Sequence, residues 1–250
     1  MKKVVKLLGV LMLMLCFAFT ANGAEKKEKL YVGTNAEFPP FEYLEEGKVV
    51  GFDIDFINAI GEVMGKEIVV KDMSFDGLLP ALQTNKVDVV VAGMTATEER
   101  KKAVNFSQPY YSANQVIILA EGNNDIKDFA DLKGKKVAVM LGFTGDVVVS
   151  EMEDVKVERF NAAYAGIMAL QNGKVDAVVL DSETANNYVA KNSGLKLAEG
   201  KGESEDYAIA VKKSDAKLLE EINAAIEQIK ADGTFGKLIE KHFEGMKLFL

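Results

Sequence analysis

The segment ALQTNKVDVVVAG at residues 81–93 returns as ALQNGKVDAVVLD at residues 169–181, at a constant offset of 88 residues. Each copy reads as the end of a helix, a polar turn and then a run, Val87–Val91 or Ala177–Leu180, without polar alternation. Such a run suits a parallel strand covered on both faces. Two copies at long spacing predict two similar α/β halves rather than a solenoid. A second echo, Lys29–Gly33 against Lys135–Val139, gives each half an opening strand that runs into a glycine-containing loop. In open α/β sheets ligands collect beyond the carboxyl ends of strands. A molecule held between the halves would then meet Gly93-Met94-Thr95 on one side and Asp181 on the other.

The chain has 250 residues, 48% of them hydrophobic, enough for two small cores. Lys2, Lys3 and Lys6 precede the apolar run Leu7 to Phe19, and small residues follow it at Ala21-Asn22-Gly23-Ala24. The run spans roughly 20 Å, short of a bilayer core of about 30 Å. Residues 1–23 therefore read as a secretory signal peptide cleaved near Gly23 or Ala24. Cys16, the only cysteine, follows Leu15 where a lipidated cysteine follows a small residue; it reads as filler of the signal core. The mature protein is expected to be exported, free of disulfides, and periplasmic, or at the cell surface if Cys16 carries lipid. Losing the three lysines takes the net charge from −8 to −11, a poor match for nucleic acid or anionic lipid.

The last two predicted helices, about Ala216–Lys230 and Gly233–Phe243, lack room in the second half and return to the first. The expected lobes are 25–111 plus 207–250 and 112–206, with the chain crossing near Tyr110–Asn114 and again near Glu203–Tyr207.

His242 is the only histidine. It is expected at the surface near a helix C-terminus, and no nucleophile arrangement can be built around it. Cysteine or histidine metal sites are excluded by the same count. No metal or cofactor is expected. Asp53-Ile54-Asp55 lacks the glycine of a calcium loop, so Asp53 reads as a helix cap. Thr95 with Glu98 reads as a capping box. Arg100 is one of only two arginines. Its planar fork suits a carboxylate, although the charged run Glu98–Lys102 also allows a plain surface role. Asp181 offers a carboxylate to an ammonium, or caps the helix that follows. Together Arg100 and Asp181 would clamp a zwitterion from opposite halves, with Thr144 and the N–H groups of Gly142–Gly145 as further donors. Phe38 and Phe75 would flank a side chain or pack in the core.

The strings VGTNAEFPPFEY (32–43), GFDIDFINAI (51–60), LLPALQTNKVDVVVAGMTATEERKKAVNFSQPYY (78–111), GFTGD (142–146) and VDAVVLD (175–181) resemble the periplasmic polar-amino-acid-binding proteins of ABC importers. The resemblance implies a two-lobed periplasmic-binding-protein-like α/β fold with a discontinuous first lobe and a two-strand hinge. It implies a monomer that binds a free amino acid and delivers it to a membrane permease. It further implies that Arg100, Thr95 and the loop at Thr144 hold the α-carboxylate, and that Asp181 and the Gly93 carbonyl hold the α-ammonium. Phe38 and Phe75 would sandwich the side chain, and Asn35 with Met140 and Leu141 would read its far end. Many relatives that favour basic ligands or glutamine carry Asp at position 35, and many carry Gln or Lys in the 140–141 stretch. An uncharged or weakly discriminated amino acid is therefore expected ahead of strict arginine recognition, unless Glu37 or Asp76 supplies a charge. The rival reading is an exported dehydratase of cyclohexadienyl acids on the same fold, with Glu37 or Glu183 as general acid.

Overall fold

Two five-stranded mixed sheets carry the repeated strands in equivalent seats. The computed structural model describes residues 27–243; the signal segment 1–23 and Cys16 lie outside the described residues. The chain opens with β1 (Lys29–Thr34), a small antiparallel sheet of β2 (Glu37–Phe38), β3 (Glu42–Glu45) and β4 (Lys48–Val50), and helix α1 (Phe52–Met64). Then come β5 (Glu67–Asp72), α2 (Leu78–Gln83), β6 (Val89–Val90), α3 (Glu98–Ala103) and β7 (Val104–Phe106). The second stretch holds β8 (Tyr111–Ala120), β9 (Lys136–Met140), α4 (Thr144–Ser150), β10 (Lys156–Phe160), α5 (Ala163–Gln171), β11 (Ala177–Asp181), α6 (Ser182–Lys191) and β12 (Leu195–Tyr207). The chain finishes with β13 (Ala210–Lys212), α7 (Ala216–Ala231) and α8 (Thr234–Phe243).

The first sheet has the order β5-β1-β6-β13-β7 and the second β10-β9-β11-β8-β12. In the repeats, Val89 pairs with Val32 of β1 in parallel, and its counterpart Ala177 pairs with Val137 of β9 in parallel. Each repeated strand has an antiparallel neighbour on its other side, β13 for β6 and β8 for β11. Both faces are covered: on β8, Val116 and Ile118 enter one core while Ile117 and Leu119 enter another. Side chains alternate across a strand, so this needs continuous apolar sequence. The chain passes from the first sheet to the second between β7 and β8, and returns between β12 and β13. The two crossing strands, β8 and β12, run antiparallel and bring Tyr111 opposite Tyr207.

Helix α1 buries Phe52, Ile54, Phe56, Ile57 and Ile60, the stripe its sequence spacing demands. Helices α7 and α8 pack against it. His242 does not sit free at the surface: its Nε2 lies 2.6 Å from Asp55 Oδ2, and its side chain is only 11% exposed. It ties α8 to α1. Asp53 does not cap α1 either, since Gly51 holds the N-cap position without a side-chain bond. Asp53 lies inside the first turn, where the apolar stripe turns it into the protein, 0% exposed.

Candidate functional site

The segments beyond the carboxyl ends of β6 and β11 meet through side-chain hydrogen bonds that join Thr95, Glu205, Thr144, Gln115 and Asp181. Beyond β6, Gly93 adopts φ +50°, and a Cβ there would fall 2.9 Å from the Phe38 ring. Only glycine fits both constraints. The Gly93 N–H donates to Asp53 Oδ2 at 2.8 Å, and the Tyr110 hydroxyl donates to the same oxygen at 2.8 Å. The buried carboxyl of Asp53 therefore orients the peptide at the strand end. Burial pushes Asp53 up to about 6 against the pull of those hydrogen bonds. Burial, then the neighbouring Asp53, holds Glu42 well above the usual carboxylate range.

Thr95 forms no capping box. The cap of α3 is Thr97, whose hydroxyl accepts from the Arg100 N–H. That leaves the Thr95 hydroxyl free to donate to Glu205 Oε2 at 2.9 Å. Arg100 is half-buried and reaches across the cleft: Nη1 donates to the Thr95 carbonyl at 2.9 Å and Nη2 to the Gly142 carbonyl at 3.0 Å. Its guanidinium lies 5.1 Å from the centre of the Phe75 ring, within cation–π range. Burial pulls its pKa down, and the carboxylates of Glu205 and Asp181 oppose this.

On the other side, Thr144 opens α4, where its hydroxyl donates to Glu205 Oε2 at 2.6 Å and accepts from Gln115 Nε2 at 3.1 Å. Asp181 ends β11 directly opposite Gln115 of β8. It makes no side-chain capping bond to α6. Its Oδ1 accepts from Gln115 Nε2 at 2.8 Å, and its Oδ2 accepts from the Tyr207 hydroxyl. At 2% exposure, burial and then the Glu205 charge push Asp181 up to about 7.

The aromatic pair is joined by a third ring. Phe143, at the start of α4, stacks on Phe75 at 3.8 Å between centroids and lies 5.1 Å from Phe38. Asn35, at the end of β1, donates from Nδ2 to the Met73 carbonyl at 3.0 Å. Its buried Oδ1 has no hydrogen-bond partner among the described residues. Met140 is buried at the end of β9, and Leu141 is half-exposed beside it. Of the rival acids, Glu183 is buried and accepts from Ser182 Oγ at 2.6 Å, and Glu37 is half-exposed on β2. Thr95, Arg100, Gly142, Thr144 and Asp181 are thus linked by hydrogen bonds, directly or through Glu205 and Gln115, and Phe38 and Phe75 are linked through Phe143. Glu205, Phe143, Gln115 and Tyr207 were not anticipated, nor was the place of Asp53 and Tyr110 beneath Gly93. Among the described residues there is no cluster of His, Cys, Asp and Glu able to hold a metal, and no helix long and apolar enough to cross a membrane.

Residues 30–245 match the family of bacterial extracellular solute-binding proteins, family 3. This chain belongs to that family. It is 36% identical over 243 residues to the arginine-binding extracellular protein ArtP of Bacillus subtilis, covering 92% of this chain and 94% of that relative. An ancestral arginine-binding protein bound to arginine is 48% identical, with a TM-score of 0.84 over 88% of this chain and 100% of that one. The same kind of protein bound to glutamine is also 48% identical, at a TM-score of 0.84 over 87% and 98% of the two chains. The mixed α/β architecture is that of these binding proteins.

Proposed function

We propose that this family member is the amino-acid-binding component of an ABC importer, closing two lobes around a free L-amino acid and passing it to a membrane permease. The lobes are 25–111 plus 207–250 and 112–206, and the crossing strands between them serve as hinge. The observation that carries this reading is the convergence of Thr95 and Thr144, from the two sides of the cleft, on one carboxylate oxygen at 2.9 and 2.6 Å beside Arg100. A site so built accepts a carboxylate. Asp181 and the Gly93 carbonyl complete it for an α-ammonium. Phe38 and Phe75 face the side chain, with Asn35, Met140 and Leu141 at its far end. The orphan Oδ1 of Asn35 favours a side chain ending in N–H donors, a carboxamide or a guanidinium. Arginine and glutamine are the two ligands named for the ancestral relative. Export by the signal segment, a monomeric state and action outside the cytoplasm belong to the same reading.

Titration calorimetry over the twenty L-amino acids tests it, with Arg100→Ala as the decisive variant. Truncating one partner of a desolvated charge pair costs about 2–5 kcal/mol, a loss of roughly 30-fold to several-thousand-fold. Binding of the preferred amino acid that survives Arg100→Ala within a factor of two would remove the clamp. Turnover of prephenate or arogenate by the purified protein would restore the dehydratase reading.

A further inference from the structure

The carboxylate in the cleft belongs to the chain itself. Glu205 lies near the end of β12, one of the crossing strands, and is half-exposed. Its Oε2 takes the Thr95 hydroxyl, the Thr144 hydroxyl and, at 3.3 Å, the Gln115 amide. Beside it, Phe143 lies against both rings that would face a ligand side chain, 29° from the plane of Phe75. The two chemical halves of an amino acid, a carboxylate and a side chain packed on aromatic faces, therefore each have an internal counterpart.

The arrangement is exclusive. A threonine hydroxyl has one proton to donate. While Thr95 and Thr144 both give theirs to Glu205, neither can give it to a second carboxylate. Two carboxylates sharing these donors would also repel each other. Glu205 has somewhere to go: a surface groove of about 720 Å³, lined in part by Thr95, Lys101, Ser204 and Asp206, opens beside it. Phe143 precedes α4 and moves with the second sheet, so opening the cleft withdraws it from Phe75.

We propose that Glu205 and Phe143 form an internal mimic of the amino-acid ligand, so that binding is a displacement and these two residues set affinity and selectivity. This rests on the assignment of Thr95, Thr144 and Arg100 to the ligand carboxylate. Glu205 also links the two sides of the cleft through Thr95 and Thr144.

The test is Glu205→Gln in the mature chain, titrated with L-arginine, L-glutamine and agmatine, which is arginine without its carboxylate. Glutamine at position 205 keeps the shape but loses the charge-assisted bonds. L-Arginine and L-glutamine should bind the variant at least fivefold more tightly than the wild type. Agmatine, which leaves Glu205 in place, should gain nothing. A mere loss of negative charge would instead weaken both cations and leave glutamine unmoved. By small-angle scattering, the ligand-free variant should show a larger radius of gyration than the wild type. Phe143→Leu, which keeps apolar volume but removes the flat ring, should also tighten L-arginine binding. If the wild type binds an amino acid, Arg100→Ala abolishes that binding and Glu205→Gln brings no gain, the internal mimic is wrong and the clamp stands. If neither the wild type nor Glu205→Gln binds an amino acid, the clamp fails and the mimic with it.

Discussion

With Asp181 assigned to the α-ammonium as proposed, amino-acid binding should be proton-linked with a definite sign. Its carboxyl is raised from 3.8 to about 7, first by burial and then by the Glu205 charge, against the hydrogen bonds of Tyr207 and Gln115. An α-ammonium pairs with the ionised form. Below pH 7 the protein must first lose a proton, so the observed Kd should rise by about tenfold per pH unit. Between pH 8 and pH 5 this amounts to about 100-fold weaker binding. Folding carries the opposite sign. A carboxyl whose folded pKa lies above its unfolded value stabilises the fold fully below about pH 4. That contribution is lost as pH rises through about 7, and it is on the order of 4 kcal/mol. The ligand-free protein should therefore lose stability between pH 5 and pH 8, while the stabilisation conferred by ligand grows over the same interval. Calorimetric titration at pH 6 in buffers of different ionisation enthalpy should count about 0.9 protons released per ligand, falling to near zero by about pH 8.5. Asp181→Asn should abolish the dependence along with most of the affinity. A Kd constant from pH 5 to pH 8, with no proton released at pH 6, would refute the assignment of Asp181 to the ammonium.

Gly93→Ala should cost about 1–3 kcal/mol of stability in a denaturant melt, because the new methyl meets Phe38 at 2.9 Å in a backbone conformation that alanine adopts poorly. Ligand affinity should fall with it, since the Gly93 peptide must move. His242→Ala should leave affinity unchanged but lower stability by about 1 kcal/mol, through loss of the half-buried contact to Asp55; an unchanged melting midpoint would show that the pair contributes nothing. Asn35→Asp should turn the preference toward L-arginine over L-glutamine by about tenfold, since it adds a counter-charge at a buried position. A variant with the wild-type ratio of the two dissociation constants would place position 35 away from the ligand side chain.

What the sequence discloses and what it conceals divide along a physical line. The repeated strands were legible because a strand covered on both faces must be written in uninterrupted apolar residues, and a duplicated architecture writes that run twice. Arg100 and Asp181 are legible as candidates because each is a charged residue beyond such a strand, although a surface role for Arg100 and a capping role for Asp181 are equally open in the sequence. Asp53 misled because a carboxylate at a helix start is usually a cap; only tertiary packing turns the first turn of α1 toward Gly93. Most of strand β12 is not legible in the sequence. Its sequence, LKLAEGKGESEDY, is polar, it lies at a sheet edge, and its pairing with β8 shifts register twice. The position of Glu205 depends on that pairing, which sets it opposite Ala113, a residue distant in sequence. Local pattern has no means of encoding such a contact. One local sign does exist: Gln115 stands at the head of the apolar run Val116–Ala120 of β8 and is 2% exposed. A buried carboxamide must find partners, and the partners of Gln115 are Thr144, Asp181 and Glu205. The same rule that hides a polar residue inside a strand thus points, once its partners are sought, to the centre of the site.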